Sequence, residues 1–198
     1  MNSTVKAYDD YPQVYDDMVV DFWQKFPQDF IKFFADNLPT KNVLDLGSGS
    51  GRDAVLLRDA GLNVLCVDGA KAMVDMAEKL GFESVHATFS EMSFDKKFGG
   101  VWAYMSLIHI SKDEMISTIK NLRKFILPEG LFMIGVIKGS AEYERRQDDM
   151  PNAVRYFRDY DSDELTKIIE PLGFELLSQT EFRPSRHTYL QQIYRIKN

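Results

Sequence analysis

The chain has 198 residues, 24 Lys and Arg against 30 Asp and Glu for a formal net charge of −6, with 44% hydrophobic and 27% charged residues. These are ordinary values for a soluble globular chain with a sizeable core, and the length suits one domain, residues 1–198. The acidic balance argues against nonspecific nucleic-acid binding, no run is long and apolar enough to span a membrane, and the lone Cys66, set in an apolar run, excludes an internal disulfide framework.

Residues 1–40 do not read as an α/β repeat. Tyr8, Tyr11 and Tyr15 stand among Asp9, Asp10, Asp16 and Asp17. Phe22, Trp23, Phe26, Phe30, Ile31, Phe33, Phe34 and Leu38 then recur at mixed helical spacing, which predicts helices with an apolar face, the second beginning at Pro27. The N-terminus lacks the basic start and apolar core of a signal peptide, so a cytoplasmic location is expected.

From Val43 the pattern changes. Val43–Leu46 reads as a buried strand broken by one polar residue, Asp45, and runs into a turn with Gly47, Gly49 and Gly51, then a helix from Arg52 to Ala60 stopped by Gly61. Strand, glycine turn and helix form the first half of a nucleotide-binding βαβ unit. The dinucleotide fingerprint G-x-G-x-x-G would need glycine at position 52, where Arg52 stands. A second strand, Val64–Val67, ends at Asp68, and a helix from Ala70 to Leu80 stops at Gly81. A third strand lies near Ser84–Ala87 and a fourth over Val101–Met105. Ser111 and Glu114 form a capping box for a helix running to Leu127. Pro128-Glu129-Gly130 reads as a tight turn into a fifth strand, Leu131–Ile137. Lys138–Asn152 is polar and reads as a loop or frayed helix. Asp161 caps a helix over Asp163–Leu172, ended by Gly173, and Phe174–Thr180 and Thr188–Ile196 are two final strands. Strands alternating with helices imply a parallel sheet covered on both faces.

The stretch Val43–Arg52, the segment Val64–Asp68 and this order of elements resemble the class I S-adenosylmethionine-dependent methyltransferases from about Lys41 onward. The resemblance implies a Rossmann-like α/β fold with a seven-stranded, mostly parallel sheet, an antiparallel C-terminal hairpin and an N-terminal helical cap over residues 1–40. It implies S-adenosyl-L-methionine as cofactor and no metal. Val101–His109 and Arg155–Tyr160 further resemble small bacterial methyltransferases related to tellurite-resistance proteins. The Asn/Asp-Pro-Pro-Tyr/Phe signature of many DNA and protein N-methyltransferases is absent at the fourth strand end, which lowers base and amide amines as acceptors.

On that basis Gly47, Ser48, Gly49 and Gly69 shape the cofactor site, and Tyr15 caps it or merely packs. Asp68 accepts from the ribose hydroxyls, caps the following helix, or does both. Asp45, too costly to bury alone, supports the glycine loop or faces the cofactor's ammonium through water, with Arg52 or a backbone amide as competing partner. Arg52 is also a candidate donor to the methionyl carboxylate, or points outward. Thr88 and Phe89 occupy the place where resembling enzymes carry an acid for the adenine amine. Ala103, Tyr104 and Met105, at a strand's carboxyl end, should face the transferred methyl. Tyr104 and His109 are the candidate catalytic groups; His109 is a general base or a structural histidine. Lys138, Arg155, Arg158, Arg183 and Arg186, among aromatic neighbours, either suit a small anionic acceptor or form a solvated basic rim. The expected partner is thus a small molecule, with no nucleic acid or membrane, acting on a monomer or homodimer. The competing readings are a non-catalytic S-adenosylmethionine-binding protein and an NAD-dependent oxidoreductase, the latter disfavoured by the early third glycine and the terminal hairpin. RNA methylation is disfavoured by charge.

Overall fold

A computed structural model describes residues 3–197. Three helices come first: α1 (Ser3–Asp10), α2 (Pro12–Gln24) and α3 (Gln28–Asp36). Five parallel strands follow, β1 (Asn42–Leu46), β2 (Asn63–Asp68), β3 (Glu83–His86), β4 (Phe98–Tyr104) and β5 (Ile126–Ile137), with α4 (Arg52–Asp59), α5 (Lys71–Lys79) and α6 (Lys112–Leu122) between them. The chain then forms a hairpin, β6 (Glu142–Gln147) and β7 (Met150–Arg158), before α7 (Ser162–Ile169), β8 (Phe174–Phe182) and β9 (Tyr189–Ile196). The main sheet has seven strands in the order β3-β2-β1-β4-β5-β9-β8, with β9 antiparallel to both neighbours.

This order positions the site. The connections leave β1 and β4 toward opposite edges of the sheet, so a crevice opens at their carboxyl ends, where ligands bind in open α/β sheets. Helices cover both faces. On one, Met115, Ile119 and Leu122 of α6 and Leu165, Ile168 and Ile169 of α7 pack with Leu44, Val101 and Phe132. On the other, Phe26, Phe30, Ile31 and Phe34 pack with Val43, Trp102, Tyr104 and Met133. The N-terminal aromatics are therefore largely core: Phe22, Trp23 and Phe26 surround the Tyr104 ring at centroid distances of 5.8, 5.4 and 5.0 Å. Phe33 is the exception, 38% exposed.

The expected seven strands are present, and Ser111 and Glu114 form their capping box. Three expectations need correction. The helix from Ser111 ends at Leu122; a 3-10 turn over Arg123–Phe125 replaces its last residues. Pro128-Glu129-Gly130 is not a turn before β5 but lies inside it, because Ile126 already pairs with Phe98 and the register shifts before Gly100 pairs with Leu131. Glu129 takes the positive φ of 62° that this irregularity demands. Finally, Lys138–Asn152 is no loop. It holds β6 and the start of β7; in β6 exposed Glu142, Glu144 and Arg146 alternate with half-buried Tyr143, Arg145 and Gln147, so the strand carries almost no hydrophobic period. Cys66 is buried and free, and no helix among the described residues is long and apolar enough to cross a membrane.

Gly135 of β5 lies under the Tyr104 ring, and a Cβ there would fall 2.3 Å from Tyr104 Cδ2. Gly135→Ala should therefore destabilise the fold by about 1–3 kcal/mol, as overpacked cores do, and urea unfolding measures it. Retained stability would show that Tyr104 can yield its place.

Candidate active site

The glycine turn is built on backbone that only glycine adopts freely. Gly47, Gly49 and Gly51 have φ of 70°, 53° and 85°. A Cβ on Gly47 would lie 2.3 Å from Ser106 Cβ, and one on Gly49 would lie 3.6 Å from the Tyr15 ring. The Gly47 and Ser48 amides donate to the Val67 carbonyl at 2.7 and 3.1 Å. Asp68, at the end of β2, accepts from the Gly49 amide at 2.9 Å with Oδ2 and from the Ala70 amide at 2.8 Å with Oδ1. Its carboxylate thus fixes the turn and starts α5 at once, and each oxygen keeps a second lone pair.

Helices α1 and α2 close over this turn through polar contacts. Asp16 of α2 accepts from Ser50 Oγ at 2.5 Å and takes both Nε and Nη2 of Arg52, at 2.8 and 2.5 Å. Arg52 beside it holds the Asp16 carboxyl below its usual range. The Arg52 guanidinium is thereby committed to α2, and it is not the partner of Asp45. Asp9 of α1 accepts from the Ala72 amide at the start of α5 at 2.9 Å, and Thr4 accepts from the Tyr156 amide of β7 at 3.0 Å.

Two adjoining cavities result. The first, about 740 Å³, is lined by Tyr8, Tyr15, Gly47, Gly49, Asp68, Gly69, Thr88, Phe89, Tyr104, Met105, Ser106 and His109 and extends along α6 to Asn121. The second, about 520 Å³, shares Tyr8, Tyr15, Gly47, Gly49, Tyr104, Met105 and His109, and adds Ser48, Arg52 and Asp53, residues of α2, and Arg145, Gln147, Arg155, His187 and Tyr189. Ala103 and Asp45 line neither; both are fully buried beneath the site. Thr88 reaches the first cavity, but its hydroxyl and amide both donate to Glu91, at 2.5 and 3.1 Å. Of the basic residues anticipated for an acceptor, Arg155 reaches the second cavity. Lys138 is paired with Glu181 and Arg158 with Glu142 and Glu164, and Arg183 and Arg186 are exposed and outside the lining.

Met105, on the shared boundary, has a left-handed φ of 57°, held by its amide donating to the Gly135 carbonyl at 2.9 Å. Such strain, about 1–3 kcal/mol, concentrates at functional sites. His109 is satisfied at both nitrogens. Its Nδ1 lies 2.7 Å from the Tyr156 carbonyl, which can only accept, so the proton is on Nδ1. Nε2 is then the acceptor for the Tyr8 hydroxyl at 2.8 Å, and Tyr8 in turn accepts from Arg155 at 3.3 Å. Burial drives the His109 pKa down to about 4, and Arg155 adds to the effect. Burial raises the Tyr104 phenol, which accepts from Gln191 at 3.4 Å, so it stays protonated. Tyr8, Asp16 and Asp53 were missed in the sequence; their partners lie far along the chain, and only the aspartates crowding Tyr8 and Tyr15 hinted at them.

The methyltransferase domain family matches residues 21–179. The chain is 28% identical to the cypemycin N-terminal methyltransferase of a Streptomyces species over 118 residues, 57% of this chain and 48% of that protein. It spans about half to two thirds of the length of the curated relatives it matches, 48%, 67% and 55%. Among solved structures, the DhpI-SAH complex superposes with a TM-score of 0.81 at 21% identity, over 98% of this chain and 96% of that one. The Burkholderia thailandensis 1,6-didemethyltoxoflavin-N1-methyltransferase, with 1,6-didemethyltoxoflavin and S-adenosylhomocysteine bound, gives 0.74 at 21% identity, over 98% of this chain and 88% of that one. At such identity the likeness is one of fold.

Beneath the glycine turn lies a pair of buried carboxyls. Neither oxygen of Asp45 meets a donor among the described residues. Its neighbour is Asp53 of α4, whose Oδ2 accepts from Trp102 Nε1 at 3.1 Å. Two carboxylates in contact and out of water cannot both be charged. Burial, then the Asp53 charge, pushes Asp45 well above its usual range, and burial lifts Asp53 to about 7. Asp45 thus keeps a proton and donates it to Asp53. The unfolded chain releases these protons near pH 4 while the folded chain retains them, so stability falls as pH rises from about 4 to about 7. Asp45→Asn keeps the donor without the titration and should shrink that slope, measured by urea unfolding at about pH 5 and about pH 8. Parallel slopes for both proteins would show that Asp45 does not hold the proton.

Proposed function

Because the chain belongs to the methyltransferase domain family, we propose that its first cavity holds S-adenosylmethionine and its second a small-molecule acceptor, with the methyl group passing between them beside Met105. The observation that carries this reading is the shared wall of the two cavities, formed by Tyr15, the glycine turn, Tyr104, Met105 and His109 at the carboxyl ends of β1 and β4.

The first cavity fits such a cofactor. Its volume, about 740 Å³, lies within the range of small-molecule sites. The spare lone pairs of Asp68 suit the two ribose hydroxyls. Phe89 and the residues of the β3–β4 connection suit a flat base, with Phe89 Cζ 3.6 Å from the point where a Gly47 Cβ would lie. The glycine turn leaves the amino-acid head room against backbone. When bound, the sulfonium supplies an electrophilic methyl carbon. This chain's own contribution is then chiefly alignment, which by itself is worth several kcal/mol of barrier. Tyr104, locked by Gln191 and by the ring of aromatics around it, is a rigid wall. His109, neutral and with its lone pair on Tyr8, orients Tyr8 rather than taking a proton. Both are positioning residues in this reading.

Calorimetry should show S-adenosylmethionine or S-adenosylhomocysteine binding while NAD does not; tight NAD binding without a response to the sulfonium compound would overturn the reading. Asp68→Ala should weaken that binding by about 1.5–3 kcal/mol, the worth of hydrogen bonds to a charged group, and a value near zero would leave Asp68 as a brace for the turn alone.

With an acceptor identified from a metabolite panel, the rate should show no inflection due to His109 at the ordinary histidine pKa near 6.5, and any inflection there, such as one from Asp53, should persist in His109→Ala. His109 is already deprotonated above about 4. An inflection there that disappears in His109→Ala would restore His109 as a general base.

A further inference from the structure

The hairpin presents two cations to the second cavity. Arg145 of β6 and Arg155 of β7 stand directly opposite each other, an arrangement that destabilises a sheet when nothing lies between the charges. Among the described residues neither forms an ion pair. The other half-buried cations nearby are matched: Arg158 has Glu142 and Glu164, and Arg52 has Asp16, while the exposed Arg146, Arg183 and Arg186, which have no ion pair among the described residues, are solvated by water. Arg155 is only 5% exposed. Its guanidinium meets the Tyr8 hydroxyl at 3.3 Å and the faces of Tyr8 and Phe157 at 5.5 and 5.4 Å. These contacts disperse the charge and neutralise none of it. A buried, unpaired cation is costly, and such a cost is sustained where a ligand of opposite sign completes the site.

The surroundings share this character. The Arg145 guanidinium is depressed by burial and then by the charges of Arg155 and Arg186, so the local field is positive. His187, beside the same cavity, is held neutral by burial and by Arg186, and accepts from Arg186 Nε at 2.9 Å. The acids that line the cavity, Asp21 and Asp53, come from α2 and α4 and pair with neither arginine. Tyr8 links Arg155 to His109, and Tyr8, His109 and Met105 all line both cavities, so the arginine corner and Met105 belong to one continuous wall.

We propose that Arg145 and Arg155 form a subsite for a compact oxyanion (a carboxylate, phosphonate or phosphate) carried by the methyl acceptor. The hairpin then grips the acceptor by its charge and leaves the rest of it facing Met105. This deepens the assignment of the second cavity to the acceptor and rests on it.

The test uses the full chain saturated with S-adenosylhomocysteine, titrated with inorganic phosphate at fixed ionic strength and followed by calorimetry. Methylphosphonate and acetate are run in parallel to separate the oxyanion classes. Wild type should bind at least one of the three saturably, and Arg145→Gln should weaken that binding by about tenfold or more, as loss of a charge-assisted contact does. Arg146→Gln, one residue along β6 and exposed, should bind as wild type does. Arg155→Gln should match Arg145→Gln if it folds; because Arg155 is buried, the half-buried Arg145 decides the matter. Unaltered S-adenosylhomocysteine affinity in Arg145→Gln separates this subsite from the cofactor reading. If wild type holds S-adenosylhomocysteine yet binds none of the three anions, or if Arg145→Gln binds them equally well, the oxyanion subsite is wrong while the cofactor assignment stands.

Discussion

Between Leu46 and Arg52 the chain must reverse with almost no side chain to help it, and the space above that turn must be left for a ligand. Three glycines at positive φ solve the first problem and create the second, because bare backbone has nothing of its own to hold it in place. Other elements supply the hold. Val67 O takes the amides of Gly47 and Ser48, Asp68 takes that of Gly49, and Asp16 reaches down from α2 to Ser50 and Arg52. Ser106 presses on Gly47 from the end of β4, and Tyr15 lies over Gly49. Contacts from β2, β4 and α2 converge on a handful of backbone atoms, and the two cavities are what remains around them.

That convergence accounts for what the sequence made legible. The strands of the parallel sheet are short apolar runs with glycines at fixed offsets, and those signals are local. Asp68 was readable because it follows such a run and a glycine turn precedes it. Asp45 was readable as a problem, since a carboxylate in a buried strand needs a partner, but the partner was not. Asp53 lies on the next helix, and only the packing of Trp102 against α4 shows why a second acid is tolerated there. Arg52 illustrates the reverse case. Its charge suggested a role toward a ligand or toward Asp45, and the structure spends it on Asp16, across a sequence separation that no local pattern reveals.

The β6–β7 hairpin was the largest omission, and its cause is physical. Strands are recognised by alternation of apolar and polar residues because one face usually meets a core. Here Glu142, Glu144 and Arg146 alternate with Tyr143, Arg145 and Gln147, and on the inner face Tyr143 stacks on Phe157 while Arg145 and Gln147 face the second cavity. A period of two is present, but it is written in burial and not in hydrophobicity. The same holds for Tyr8: a tyrosine between an alanine and two aspartates has no sequence mark of its hydrogen bond to His109.

Helix α1 has eight residues, Ser3–Asp10. A segment that short does not persist as a helix in water by itself, so it exists because Asp9 docks on α5, Thr4 on β7 and Tyr8 on His109. One wall of the first cavity is therefore conditional on tertiary contact, because Thr4, Val5 and Tyr8 of this helix line it. A ligand in the cavity and the docked helix then stabilise each other.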